Sequence, residues 1–237
     1  MNWENYKFRA SSIGALMTND RSGKQMGETA KKKLLEIYVK ETYGRDRELL
    51  NKYITKGLAV EEDSITLYSR NKKKFYKKNE DRISNDFLCG TPDLYDGPTI
   101  KEATIIIDIK SSWDVFTFWM VLHKPMNTDY VYQLQSYMDL TGAKEAKLVY
   151  CLVNTPEPLI LDEMNKLKWK MGVADPSTNE LYQKACEYLE GEMRFDDIPM
   201  EKRFIEFTFK YDQNIINSVY ERLKDCRKFL SGLDSVV

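Results

Sequence analysis

One stretch, Thr104-Ile105-Ile106-Ile107-Asp108-Ile109-Lys110, constrains this chain more than any other. Its four isoleucines and one threonine form a β-branched run that favours a strand. Apolar residues follow one another without alternation up to Asp108, so both faces of that strand belong in a core. A strand buried on both faces needs helices above and below its sheet. Residues 87–95 read as strand, bend, strand, and residues 146–153 as a second buried strand. Helical periodicity over residues 129–140 places a crossover helix between the two buried strands.

Helices are also expected at residues 10–18, with a serine cap, at 29–43, ending at Gly44, and at 57–69. Residues 172–179 read as a loop, 203–211 as a half-exposed strand and 214–230 as a closing amphipathic helix. The expected fold is α/β, a mixed central sheet flanked by helices with extra N- and C-terminal helices. At 237 residues it reads as one domain, its core at about 9–153 and a C-terminal strand and helix at about 203–230. No apolar run is long enough to span a membrane, and the first residues lack the apolar core of a signal peptide, so an intracellular protein is expected.

Composition narrows the chemistry. Cys89, Cys151, Cys186 and Cys226 are widely separated, which disfavours a zinc site or an iron–sulfur cluster. His123 is the only histidine, so chemistry needing two is excluded, and any metal must be held by carboxylates, which suit Mg²⁺ or Mn²⁺. The net charge of −1 conceals an asymmetry: residues 1–80 hold 18 Lys and Arg against 11 Asp and Glu. The excess peaks in Arg70-Asn71-Lys72-Lys73-Lys74-Phe75-Tyr76-Lys77-Lys78, which reads either as a solvated helix end or as a phosphate-facing patch.

Residues two apart on a strand face the same side, so Asp108 and Lys110 project together from a strand that should be buried. Charges there must pair or bind an ion. A plain Asp–Lys ion pair is one reading. The other adds Asp93, carried alongside by a hairpin turn at Asp96-Gly97. Asp93, Asp108 and the Ile109 carbonyl then form a partial Mg²⁺ shell, and Lys110 orients or deprotonates a water for attack on phosphorus. Glu145-Ala146-Lys147 has the same acid-x-Lys spacing but follows Gly142 in a polar turn, and reads as a decoy.

Pro92-Asp93 followed by Asp108-Ile109-Lys110 resembles the signature of PD-(D/E)XK nucleases, with their restriction-endonuclease-like core. The chain is similar in particular to the lambda-exonuclease type of phage recombination nuclease. Gly57-Leu58-Ala59-Val60-Glu61 fits that family's GxxxE motif, and Gln133-Leu134-Gln135-Ser136-Tyr137 fits both its QxQ and its QxxxY patterns. Ala10-Ser11 resembles the family's terminal-phosphate serine, and Arg21-Ser22-Gly23-Lys24 its basic loop. The resemblance implies Glu61 as a third acid at the metals and Ser11, Gln133, Gln135 and Tyr137 at DNA or its terminal phosphate. It places Arg21 and Lys24 on the DNA, and Thr91 either there or in a plain turn. It further implies a 5′→3′ exonuclease on duplex ends, a trimer, a single-strand annealing partner and a bacterial cytoplasm. Asp108 stands where the family often has Glu, and Leu94 where Gly is common. No arginine is in register with the family's phosphate-binding one, which leaves Lys7 or Arg9. A structure-specific or restriction-like endonuclease, or a non-catalytic DNA-binding module, shares these motifs.

Overall fold

The computed structural model describes residues 2–23, 25–46 and 51–234. In chain order the elements are β1 (Phe8–Arg9), α1 (Ile13–Leu16), α2 (Glu28–Tyr43), α3 (Lys52–Ala59), α4 (Glu61–Lys72), β2 (Ile83–Ser84), β3 (Leu88–Gly90) and β4 (Leu94–Asp96). There follow β5 (Ile105–Ser111), α5 (Val115–Met120), α6 (Thr128–Thr141), β6 (Glu145–Cys151), α7 (Glu157–Met171), α8 (Glu180–Gly191), β7 (Phe204–Lys210) and α9 (Gln213–Leu233).

The isoleucine strand is β5, and it lies inside a mixed sheet of order β4-β5-β6-β7. β5 and β6 run parallel, joined through α6, while β4 and β7 are antiparallel to their neighbours. Both faces are covered, as the run of isoleucines requires. Ile106, Ala146 and Leu148 pack on Leu134, Tyr137 and Met138 of α6. Ile107, Ile109, Val149 and Cys151 pack on Ile65, Leu67 and Tyr68 of α4. Each of these fully buried aliphatic side chains contributes about 1.5–3 kcal/mol. A small second sheet, β1-β3-β2, is attached through Phe8 and Leu88 to α2 and α9. Two glycines let backbones meet: a Cβ at Gly14 would stand 2.4 Å from the Asp129 Cα, and one at Gly90 2.5 Å from the Tyr137 ring.

Four local expectations are corrected. The helix expected at 57–69 is two helices, broken at Val60, whose φ of −113° and ψ of 15° leave the helical region while its side chain is fully buried. The two strands expected within 87–95 belong to different sheets. The turn at Asp96-Gly97 does not close a tight hairpin. Pro98 follows and has no N–H to offer a ladder, so the chain detours through a 3₁₀ turn at Ile100–Glu102 before Thr104 N–H donates to the Asp96 carbonyl, 2.7 Å. The serine-capped helix at 10–18 is a 3₁₀ turn at Ala10–Ser12 running into α1, and no serine side chain caps it. The helices α7 and α8 were not expected from the sequence; each buries one residue, Ile160 and Tyr182. The four cysteines are free thiols, three of them buried.

Candidate active site

β5 outlasts β4. The last residue of β5 paired to β4 is Ile107, opposite Leu94, so beyond it the edge of β5 is open. The Ile109 N–H on that edge donates to Asp93 Oδ2, 2.7 Å. A strand residue's N–H and C=O leave on the same side, so the Ile109 carbonyl points past the end of β4 as well. The Pro-Asp dipeptide just before β4 is thereby pinned beside the middle of β5.

Asp108 lies on the α6 face of β5, only 1% exposed. Its Oδ1 accepts from Gln133 Nε2, 3.1 Å, and the same amide nitrogen donates to the Tyr137 hydroxyl, 3.1 Å. Its Oδ2 is buried without a hydrogen bond of good geometry and faces the Lys110 Nζ as an ion pair at 2.5 Å. Lys110 also lies over the Tyr130 ring, 5.2 Å from its centre. Glu61 opens α4, where a carboxylate suits the helix dipole, and pairs with Lys78 Nζ at 2.7 Å.

Asp93, Glu61, Ile109, Lys110 and Ser11 line one cleft of about 750 Å³. Its other wall is Tyr53, Ile54 and Leu58 of α3, with Trp113 and Val121 from the segment around α5. Buried Lys56 ties these walls together by donating to the Trp113 carbonyl, 2.9 Å, and its burial lowers its pKa to about 8. A smaller adjoining pocket of about 280 Å³ shares Ser11 and is lined by Arg9, Arg82, Thr91 and Tyr137.

Burial and the neighbouring Asp108 carboxylate raise the Asp93 pKa to about 7, with Glu61 adding to the rise and Lys110 and the Ile109 N–H opposing it. Burial pulls the Lys110 ammonium down, but Asp108 and Asp93 outweigh it and hold the lysine above its ordinary range. Burial and Asp108 likewise raise the Tyr137 phenol. Lys110 pairs with Asp108 and Lys78 with Glu61, so ionised Asp93 has no cation of its own, and Asp108 Oδ2 lacks a hydrogen bond. Among the described residues no three His, Cys, Asp or Glu side chains come close enough to cage a metal by themselves. The donor set is two carboxylates and a carbonyl, which fits a hard ion that keeps several waters.

The sequence-expected residues divide. Asp93, Ile109, Lys110 and Glu61 are brought together on the cleft, with Asp108 buried behind it and paired to Lys110, and Ser11, Thr91 and Arg9 at the adjoining rim. Gln133 reaches Asp108 itself and Tyr137 reaches Gln133, so the Gln133 amide orients that carboxylate. Gln135 is a correction: it is 2% exposed, donating to the Lys210 carbonyl and accepting from the Asp212 N–H, a clamp on the end of β7 and the start of α9. On a helix, residues two apart face different ways, which separates it from Gln133. Arg21 is exposed on a turn and lines neither cavity, and Lys24 lies outside the described residues.

The basic run resolves into two halves. Lys72, Lys74 and Lys78 are paired with Glu206, Asp96 and Glu61, while Arg70, Lys73 and Lys77 make no ion pair among the described residues. Sequence reasoning missed Lys56, Asn79 and Arg82. The signal for Arg82 was an arginine seven residues before Cys89, visible only once β2 and β3 are known to pair.

No protein-family model matches the chain, and no curated protein matches it in sequence. Solved structures do. A phage-related exonuclease from Haemophilus somnus 129PT superposes with a TM-score of 0.75 at 25% identity, over 98% of this chain and 96% of that one. The alkaline exonuclease LHK-Exo from Laribacter hongkongensis has the same fold, with a TM-score of 0.62 at 15% identity over 98% and 95% of the two chains. Its complex with dAMP gives a TM-score of 0.60 at 16% identity, over 97% and 88%. With Pro92-Asp93 and Asp108-Ile109-Lys110 meeting at the open edge of β5, the chain has the PD-(D/E)XK nuclease fold in its lambda-exonuclease-like form.

Proposed function

We propose that this protein is a metal-dependent deoxyribonuclease that hydrolyses phosphodiester bonds from the ends of linear duplex DNA, in the 5′→3′ direction, for phage recombination. One observation carries the reading: Asp93 and Asp108 converge at the open edge of β5, with Lys110 paired to Asp108 alongside. The LHK-Exo fold has been solved with dAMP, and a deoxynucleoside monophosphate is what stepwise hydrolysis of a DNA strand releases.

Asp93, Asp108 and the Ile109 carbonyl would hold Mg²⁺ or Mn²⁺. When bound, such an ion supplies Lewis acidity at the phosphoryl oxygens and lowers the pKa of water. Gln133 fixes the rotamer of Asp108, and the Ile109 N–H fixes that of Asp93. Lys110, held protonated by its two acidic neighbours, presents an ammonium to the attacking oxygen or to a non-bridging phosphate oxygen. Ser11 and Thr91, with Arg9 and Arg82, offer hydroxyls and guanidinium groups to a terminal phosphate in the adjoining pocket. A trimer and a single-strand annealing partner for the resected end belong to the same reading.

The test is digestion of linear duplex bearing 5′-phosphate, linear duplex bearing 5′-hydroxyl, and closed circular DNA, with Mg²⁺ or Mn²⁺ and with chelator. The expected order is phosphate ends fastest, hydroxyl ends slower and circles untouched, with no cutting in chelator. Cutting of closed circles would replace this reading with an endonuclease, and no cutting at all would leave a DNA-binding module.

A further inference from the structure

We propose that Asn79, in the segment between α4 and β2, is a positioning residue that holds Asp93 against the repulsion of its neighbouring acids. The inference rests on the metal-dependent nuclease reading and adds to it a residue outside all the motifs. Asn79 is 6% exposed, an unusual place for an amide unless it is fully used. Its backbone N–H donates to the Asp93 carbonyl, 2.8 Å, and its Nδ2 donates to the Pro92 carbonyl, 2.9 Å. Both carbonyls of the Pro-Asp dipeptide are therefore gripped by one residue. Its side chain is fixed in turn by Asp81, whose N–H donates to Oδ1 and whose carbonyl accepts from Nδ2, each at 3.2 Å.

The need for such a grip follows from the site. Asp93 lies near Asp108 and Glu61, and like charges at short range push the backbone that carries them apart. β4 begins only at Leu94, so no strand partner holds Pro92 or Asp93, and Pro92 has no N–H of its own to anchor. The Ile109 N–H secures the carboxylate end of Asp93 and Asn79 secures the backbone end. The preceding residue, Lys78, pairs with Glu61, so two adjacent residues join the N-terminus of α4 to the Pro-Asp turn. Residues behind a metal ligand that orient it commonly change metal affinity by about 10–100-fold when removed.

The experiment is calorimetric titration of the full chain with Mn²⁺, alongside steady-state digestion of linear duplex and thermal melts. Asn79→Ala keeps the backbone donor and loses the amide. It is expected to lower Mn²⁺ affinity about 10–100-fold and to lower kcat, with KM for DNA at the wild-type value. Should that variant fail to fold, Asn79→Asp preserves shape and the Asp81 N–H contact but turns the donor toward Pro92 into an acceptor, and the same losses are expected. Unchanged Mn²⁺ affinity in a folded variant overturns the proposal, even if its melting temperature falls. Wild-type protein that binds Mn²⁺ yet leaves linear DNA intact overturns the nuclease reading, and the titration still decides the role of Asn79. Wild-type protein that binds no Mn²⁺ overturns both.

Discussion

Two parallel, adjacent strands carry the same triplet, an acid and a lysine two residues apart: Asp108-Ile109-Lys110 on β5 and Glu145-Ala146-Lys147 on β6. Their surroundings differ completely. The second triplet is at the start of β6, on the α4 face, where β7 runs alongside for its whole length. Glu145 pairs with Lys210 and Lys147 with Glu206, which also takes Lys72 and the Tyr68 hydroxyl. Three lysines there face two glutamates, and the acids are satisfied. The first triplet faces α6, near the end of β5 where β4 has already stopped. No strand brings it cations, and three carboxylates share Lys110 and Lys78. Where the sheet is complete the acid-x-Lys triplet becomes part of an ion-pair ladder; where the neighbouring strand ends, it meets a further carboxylate that has no lysine of its own.

The contrast is broken most directly by removing the acids. Asp108→Ala is expected to abolish hydrolysis of linear duplex while DNA binding, followed by fluorescence anisotropy, remains measurable. Glu145→Ala is expected to leave the hydrolysis rate unchanged. Equal rates for wild type and Asp108→Ala would remove the distinction between the two strands.

The lysines give the next largest effect. Lys110→Ala should lose roughly 10²–10³-fold in rate, the scale of one preorganised electrostatic contact. Lys110→Arg should recover only part of this, because a planar fork replaces a compact ammonium. Lys147→Ala should cut DNA at the wild-type rate. A Lys147 variant as slow as Lys110→Ala would show that the charge of the sheet matters and not its open edge.

The smallest effect is thermal. Asp93 binds its proton up to about pH 7 when folded but only to about 3.8 when unfolded, so between those values the folded state holds more protons. Its contribution to stability therefore falls as pH rises from about 4 to 7. Mn²⁺ binds the ionised form, so its stabilisation should be larger at pH 8 than at pH 5. At about a hundred times its dissociation constant an ion adds about 2.7 kcal/mol, and for a chain of this size each kcal/mol moves the Tm by about 2–4 °C. Melts with and without Mn²⁺ at the two pH values check this. An equal rise at both would mean that the metal does not meet Asp93.

The sequence alone determined the strand that must be buried, because four isoleucines cannot be solvated on either face, and it determined the acids and the lysine on it, because charges in such a strand demand a reason. It also determined the crossover from β5 through α6 to β6, since a period of 3.6 residues between two buried runs admits little else. The sequence already set Asp108-Ile109-Lys110 apart from Glu145-Ala146-Lys147, but for the wrong reason: Glu145 lies in β6 and not in a polar turn. Only the tertiary structure showed that what separates the two triplets is where β4 ends. It separated Gln133 from Gln135, because one side of α6 faces Asp108 and another faces the start of α9. It also disclosed Asn79, which lies at the end of a run of lysines and carries no local signal. Its partners are carbonyl groups some thirteen residues away, and a backbone carbonyl leaves no mark in a sequence.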